Sequence, residues 1–257
     1  MNLANLAVSL VGLGTMISSR RLIGAISMGN ECCTVRSLPR LNLQDLPDGK
    51  LLKEAILTRN AREVENLVTL TTDRRVLNCI ADENKNSPFL LVCEHFPTDT
   101  NLIDVVAARG AQTDLRNSYG ESAIHILAKG GSPKDTALNS IKHLNKKYKV
   151  PLHFKDLNGY DALWNAVRCG DICAYKYLKS WGCDRHYVDS SRENLLFIAV
   201  KLKSLPLVKQ MVEYDLLDIH LVNKKGKSLL DVAAESCEEI YAYLKGKGVE
   251  RNAVEIA

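Results

Sequence analysis

The sequence lacks the features that mark membrane-spanning and secreted proteins. Its amino-terminal apolar run, residues 6–13, is interrupted by Ser9 and Gly12 and is far shorter than the roughly 20 residues that span a bilayer. Eight cysteines are spread over 257 residues, which excludes the dense disulfide framework of a small secreted protein. Scattered free cysteines usually behave as small buried apolar residues. Because thiols stay reduced in the cytoplasm, we expect a protein of that compartment.

A strong excess of basic charge is also absent. Arginine and lysine number 34 against 30 acidic residues, which gives a formal net charge of +4. Proteins that bind nucleic acid usually concentrate many more basic residues on one face. We therefore expect no nucleic-acid partner.

No group of residues has the spacing of a catalytic, cofactor or metal site. The Gly-Leu-Gly sequence at residues 12–14 lacks the third glycine and the later acidic residue of a dinucleotide-binding loop. Cys169, Cys173, Cys183 and His186 lack the paired spacing of structural zinc sites, and packing explains the cysteines more simply. We therefore expect a protein that is not an enzyme and holds no cofactor or metal.

What the chain does contain is a nine-residue sequence that recurs at nearly constant spacing. It reads Gly-Glu-Ser-Ala-Ile-His-Ile-Leu-Ala at residues 120–128, and related sequences begin at residues 85, 159, 192 and 226. The steps between successive copies are 35, 39, 33 and 34 residues. A period of this length is typical of stacked copies of one small motif, not of a single globular core.

The recurring sequence resembles the signature of the ankyrin repeat family, in which a turn glycine precedes a Thr-Pro-Leu-His-like helix start. Ser122 and His125 lie at the threonine and histidine positions of one copy, and Pro88 lies at the proline position of another. The resemblance covers roughly residues 49–248. It implies an all-α repeat solenoid of about five to six helix-turn-helix units with hairpin turns between them. It also implies that the ring of His125 ties adjacent hairpin turns together.

The sequence divides into three parts. Residues 1–46 do not match the repeat and form an amino-terminal leader, residues 47–250 form the ankyrin repeat domain, and residues 251–257 form a short tail. A turn cluster, Asp-Leu-Pro-Asp-Gly at residues 45–49, marks the first boundary. The leader has no acidic residue before Glu31, and disordered, transit and anchoring segments are all consistent with its composition.

One alternative concerns lipid attachment to the leader. If translation begins at Met28, then Gly29 becomes an acceptor for myristate, and Cys32 or Cys33 an acceptor for palmitate. Two acyl chains anchor a protein stably, whereas one myristoyl chain does so only marginally. Against this hypothesis, Gly29 is internal and Cys33 stands where the pattern requires Ser or Thr. The alternative function is therefore a membrane-attached ankyrin regulator, anchored through the leader.

The resemblance implies where a partner protein binds. Ankyrin arrays present a concave face made of hairpin tips and first helices, and aromatic and arginine side chains are favoured anchors of interfaces. The candidates at these positions are Tyr119, Tyr160, Arg168, Arg192 and Lys225. We therefore expect a monomeric adaptor or scaffold that binds another protein through this face. Trp164, at a histidine position of the signature, is expected to pack beneath its turn.

The most basic part of the array lies within the longest step of the repeat, between residues 120 and 159. Lys142, Lys146, Lys147 and Lys149 lie close together there, beside His143. A solvated helix end explains such a group, since lysine is favourable near the carboxyl end of a helix. A contact with an acidic partner is the alternative.

Overall fold

Helices form the regular secondary structure of the part of the chain that can be described. The structure is a computed structural model that describes residues 49–130 and 137–251. Within those two ranges there are twelve α-helices and no β-strand, and Val222 and Ser228 form an isolated antiparallel bridge. The described residues are therefore all-helical. The whole leader, residues 1–46, lies outside them together with the proposed acylation sites Gly29, Cys32 and Cys33, and so do residues 252–257 of the tail.

The helices follow one another in pairs separated by short connections. In chain order they are α1 (Gly49–Leu57), α2 (Ala61–Leu70), α3 (Pro88–His95), α4 (Thr100–Ala108), α5 (Ala123–Gly130), α6 (Leu138–Tyr148), α7 (Ala162–Arg168), α8 (Ile172–Ser180), α9 (Leu195–Lys201), α10 (Leu205–Lys209), α11 (Leu229–Ser236) and α12 (Glu238–Gly246). A π-helical segment, Gln210–Tyr214, continues α10. We call the odd-numbered members first helices and the even-numbered members second helices.

Polar side chains fix where most of these helices begin. Ser87, Asp161 and Asn194 cap α3, α7 and α9 by accepting a hydrogen bond from a backbone N–H in the first turn. At α11, Ser228 and Asp231 form a reciprocal capping box. Each cap satisfies amide groups that would otherwise lack a partner, and such caps stabilise a helix by about 1 kcal/mol.

The helices pack in two layers with one continuous apolar core. Consecutive first helices contact each other from α1 to α11, and each also packs against the second helix that follows it. Among the second helices, α2 contacts α4, α4 contacts α6, and α10 contacts α12. The buried apolar residues of all six pairs belong to one cluster. Because each pair buries its apolar side against its neighbours, no pair has a separate core.

Polar contacts connect neighbouring second helices. Asp104 of α4 accepts hydrogen bonds from His143, Lys147 and Tyr148 of α6, with distances of 2.9, 2.6 and 2.6 Å to its Oδ1. These bonds, led by that from Lys147, hold the pKa of Asp104 well below its usual range. The basic group around residues 142–149 thus lies mainly on α6, and two of its members bind Asp104 instead of standing free in solvent.

Candidate interaction surface

One tight loop conformation precedes each of the helices α3, α5, α7, α9 and α11. The five loops comprise residues 82–86, 117–121, 156–160, 189–193 and 223–227. Each loop begins with Asp or Asn, whose Oδ1 accepts a hydrogen bond from the backbone N–H four residues later. The carbonyl of that first residue accepts a bond from the N–H of the fourth. The sequence spacing of 35, 39, 33 and 34 residues therefore separates five copies of the same local structure.

The fourth residue of every loop has a left-handed backbone conformation. Glycine occupies it three times, at Gly120, Gly159 and Gly226, with φ between 73° and 84°. Lys85 and Arg192 occupy it in the first and fourth loops, with φ of 57° and 58°. Glycine adopts this conformation freely, whereas a side chain makes it unfavourable. The loop hydrogen bonds evidently suffice to hold the two non-glycine residues there.

Neighbouring loops are hydrogen-bonded to each other. Ser118 N–H donates to the carbonyl of Asn84 at 2.8 Å, and Leu157 N–H donates to the carbonyl of Tyr119 at 2.9 Å. Lys224 N–H donates to the carbonyl of Ser191, also at 2.9 Å. Side chains make the remaining link, between the third and fourth loops: the Tyr160 hydroxyl lies 3.4 Å from Asp189 Oδ2. The five loops therefore form one continuous row.

His125 ties two of these loops together from beneath. The residue is fully buried, and its Nε2 lies 3.2 Å from the carbonyl oxygen of Tyr160, in the next loop. A carbonyl can only accept, so Nε2 carries the proton and Nδ1 accepts from the Ser122 hydroxyl at 2.9 Å. Burial lowers the pKa of His125 below its usual value. This geometry is the one that the resemblance implies, and it leaves the ring without access to a substrate.

Trp164 lies at the equivalent position one step later and is also buried, as the sequence predicted. Its ring packs against those of Tyr160 and Tyr187, with centroid distances of 4.6 and 5.6 Å. An apolar ring thus replaces the hydrogen-bonding histidine at this step. The aromatic cluster supports the third loop from below.

The structure places the five candidate binding residues along the loop row, not in one cluster. Arg168, Arg192 and Lys225 are exposed, at the end of α7 and on the fourth and fifth loops respectively. Tyr119 is 51% exposed, and its hydroxyl donates to Asn84 Oδ1 at 3.2 Å. Tyr160 is only partly exposed because its ring packs on Trp164. Four candidates are therefore free to contact another molecule, and the fifth mainly supports its loop.

Ion pairs join the last residue of a loop to the residue eight positions later, at the end of the first helix. Glu121 pairs with Lys129, Glu193 with Lys201, and Lys227 with Glu235. The sequence analysis did not predict these ion pairs. The sequence does indicate them, since opposite charges eight residues apart recur in three of the five copies. We call the surface formed by the five loops and these helix ends the loop face.

Two recesses of similar size lie on the loop face. The first recess, between loops 82–86 and 117–121, has a volume of about 280 Å³. The last recess, between loops 189–193 and 223–227, has a volume of about 340 Å³. Tyr119 lines the first and Lys225 lines the last, so two of the candidate residues belong to different recesses.

The cysteines considered as metal ligands do not form a site. Cys183 is buried, its thiol donates to the carbonyl of Leu152, and burial raises its pKa to about 12. Cys173 is exposed on α8. Across residues 49–130 and 137–251, no three potential ligands among His, Cys, Asp and Glu come close enough to hold a metal ion. None of the helices in these ranges combines the length and apolarity that crossing a membrane requires.

Comparison with known proteins gives one informative similarity. No family model matches the chain. Phosphocholine transferase AnkX of Legionella pneumophila, a protein that contains ankyrin repeats, is 25% identical to it over 127 residues. The match covers 49% of this chain and only 13% of AnkX, so the chain corresponds to a small part of that protein.

Proposed function

We propose that residues 47–250 form an ankyrin-type repeat solenoid that binds another protein through the loop face. The fivefold recurrence of one loop conformation at the spacing of the sequence repeat supports the fold assignment. The similarity to AnkX, which contains ankyrin repeats, supports it independently. In this proposal the chain is a monomeric adaptor or scaffold of the cytoplasm.

The observation that carries the proposal is that one set of groups holds the loops in place and a different set of side chains is exposed at their tips. Backbone groups and the first Asp or Asn of each loop hold the loops in place, so the exposed side chains at the tips are not needed for that purpose. Tyr119 and Arg192 project from backbone that is already ordered, which lowers the entropic cost of binding. Tyrosine and arginine are also the residue types that most often dominate interface energies.

Charge is unevenly distributed over this surface. In each of the three ion pairs, Glu121–Lys129, Glu193–Lys201 and Lys227–Glu235, the two charges neutralise each other. Arg168 and Lys225 make no ion pair with any residue that the structure describes. Unpaired charges of this kind steer a partner of complementary charge and select against others.

The proposal assigns the chain a binding role and no catalytic one. The transferase activity in the name of AnkX belongs to that protein, of which this chain matches 13%. His125, whose pKa is lowered by burial, is fully buried and hydrogen-bonded at both ring nitrogens. A general base must reach the proton that it removes, and this ring is enclosed.

Affinity capture with the whole chain tests the proposal. The loop-face variant combines Tyr119→Ala, Arg168→Ala, Arg192→Gly and Lys225→Ala, and it leaves the packed Tyr160 intact. The matched control combines Lys146→Ala, Lys176→Ala and Lys245→Ala, which removes three exposed lysines from second helices. We expect proteins captured by the wild type and the control to be lost by the loop-face variant, with unchanged helical circular dichroism. Equal capture by all three proteins would refute the assignment of this face.

Membrane attachment through the leader is the alternative function. It depends on acylation at Gly29, Cys32 or Cys33, which lie outside the described residues. Mass spectrometry of the native amino terminus tests it directly. An unmodified chain that begins at Met1 and carries no lipid on Cys32 or Cys33 would exclude it.

A further inference from the structure

We propose that the first recess binds a cationic side chain of the partner protein, with arginine favoured over lysine. This inference rests on the proposed function, because the ligand is a residue of a protein held on the loop face. Three features of the recess carry it: an unpaired carboxylate, an unpaired buried amide oxygen and an exposed aromatic ring.

The unpaired carboxylate belongs to Glu94, and the sequence explains why it lacks an ion-pair partner. In three other copies the loop ends in a charged residue that pairs with the residue eight positions later. In the first copy the loop ends in Asn86, so Glu94 has no partner of opposite charge at that position. No hydrogen bond or ion pair of Glu94 occurs within the described residues. Glu94 is exposed and lines the first recess.

A second carboxylate lies deeper in the recess and is already balanced. Glu121 is buried, with Oε1 paired to Lys129 and Oε2 accepting from Asn117 Nδ2 at 3.0 Å. Burial pushes the pKa of Glu121 upward, but Lys129 and Asn117 outweigh that effect, so its pKa lies below the usual value. Glu121 is therefore ionised at neutral pH, and Lys129 compensates it. The first recess is left with one net negative charge, that of Glu94.

The unpaired oxygen belongs to Asn86, which lines the recess and is 3% exposed. Its Nδ2 donates to Asp82 Oδ2 at 2.8 Å, which fixes the orientation of the amide and directs Oδ1 away from Asp82. Among the described residues, Oδ1 has no hydrogen-bond partner. A buried acceptor without a donor is unfavourable, so an N–H group that reached Oδ1 from the recess would form a stabilising hydrogen bond.

These features match a guanidinium group. Guanidinium carries five N–H donors and no acceptor, and it binds a carboxylate such as that of Glu94 with two parallel hydrogen bonds. It also stacks on aromatic rings, and Tyr119 offers a half-exposed ring at the same recess, with its hydroxyl held by Asn84. Lysine supplies the charge but not the planar fork, which is why arginine fits better.

The last recess provides a control within the same molecule. Its two ion pairs, Glu193–Lys201 and Lys227–Glu235, neutralise each other and leave Lys225 as the unpaired charge. None of the side chains that line it has a buried N or O atom without a partner. Two recesses of the same architecture thus carry unpaired charges of opposite sign. The preference for a cation is therefore a property of the first recess and not of the loop face in general.

Selection of a random peptide display library on the whole chain supplies the probe. Peptides that lose binding to the loop-face variant are synthesised twice, with the selected arginine and with citrulline, its uncharged isostere. Affinities are measured by fluorescence anisotropy against the wild type, Glu94→Gln and Lys225→Gln. We expect the selected peptides to be enriched in arginine. We also expect citrulline substitution and Glu94→Gln each to weaken binding about tenfold, as for a charge-assisted hydrogen bond, with little further loss when both are combined.

Lys225→Gln is the matched charge variant and should leave the effect of citrulline unchanged. Binding of the arginine peptide should also shift the side-chain amide resonances of Asn86, whereas the citrulline peptide should not. The inference is overturned, and the proposed function kept, if loop-face peptides show no enrichment in arginine or lysine. It is equally overturned if Glu94→Gln weakens arginine and citrulline peptides alike. A selection that yields no loop-face peptides counts against both the inference and the proposed function.

Discussion

At the scale of single residues, the fourth loop position shows how a side chain is tolerated where glycine is preferred. Arg192 adopts φ of 58° there, while Gly159 adopts 84° at the equivalent place one step earlier. The left-handed conformation costs a non-glycine residue roughly 1–2 kcal/mol. Replacement by glycine removes this cost, but part of the gain in stability is offset by the greater conformational freedom of glycine in the unfolded chain. Arg192 therefore stores a small amount of strain in an otherwise regular loop.

We expect Arg192→Gly to raise the free energy of unfolding by about 0.5–1 kcal/mol, because it relieves this strain. Urea denaturation followed by circular dichroism measures the change. Gly159→Ala should have the opposite effect, since its Cβ would lie 2.6 Å from the Tyr187 hydroxyl as well as at positive φ. Ser191→Gly, one residue before Arg192, should give no gain. A loss of stability in Arg192→Gly would contradict this account of the loop.

The burial of His125 makes stability depend on pH. Its pKa in the folded chain lies below the ordinary 6.5, so the unfolded chain binds the proton first as the pH falls. The contribution of His125 is therefore complete above pH 6.5 and declines below it, with a slope of at most about 1.4 kcal/mol per pH unit. Urea midpoints at pH 7.5, 6.5 and 5.5 test this. His125→Gln should show a smaller decline between 6.5 and 5.5, and an identical decline would argue against the buried neutral ring.

At the scale of elements, buried polar contacts link helices that are far apart in the sequence. Tyr175 of α8 is fully buried, and its hydroxyl donates to Asp215 Oδ2 at 2.6 Å. Burial raises the pKa of Tyr175, so the hydroxyl keeps its proton. Lys179, one turn later, pairs with the other oxygen of Asp215. These contacts connect α8 to the segment that follows the π-helical turn.

Tyr175→Phe should lower the free energy of unfolding by about 1.5–3 kcal/mol, because it leaves a buried carboxylate short of one donor. Tyr177→Phe is the matched control on the same helix. Its hydroxyl is 3.4 Å from Asn145 Oδ1 and partly exposed, so we expect a change within about 0.5 kcal/mol. Equal effects of the two substitutions would show that the Tyr175–Asp215 contact does not stabilise the fold.

The sequence predicted the elements better than the contacts between them. The helix start that the signature implies at Pro88 is the observed start of α3, because this proline and the cap before it are local signals. The π-helical segment Gln210–Tyr214 was not predicted, since apolar spacing reports which side is buried and not how many residues make a turn. The role of Asp215 was also missed, because nothing near it in the sequence indicates partners 36 and 40 residues away.

The candidate site shows the same limit. Exposure of Arg192 and Lys225 followed from their places in the repeat, because loop tips face solvent. The partly buried state of Tyr160 did not, since it depends on Tyr187, which lies 27 residues later, as well as on the nearby Trp164. The lack of an ion pair at Glu94 could be recognised only after the structure had shown that three other copies pair residues eight positions apart.

At the scale of the whole molecule, the absence of a separate core in each helix pair has a thermodynamic consequence. A stack held by contacts between neighbours loses stability when a terminal pair is removed, yet the remaining pairs keep their own contacts. We expect a chain ending at residue 220, without α11 and α12, to stay helical. Its urea midpoint and m-value should both fall, because fewer contacts stabilise it and less surface is exposed on unfolding. Complete loss of helical structure would instead indicate one indivisible core.

The most direct test of the central claim, that the loop face binds another protein, is hydrogen exchange of the chain with and without a captured partner. The account predicts that binding slows exchange at backbone amides of the loops and the ends of first helices, around residues 117–121, 156–160 and 189–193. Amides of the second helices α6, α8 and α12 should exchange as before. Protection confined to those second helices, with unchanged loops, would contradict the account.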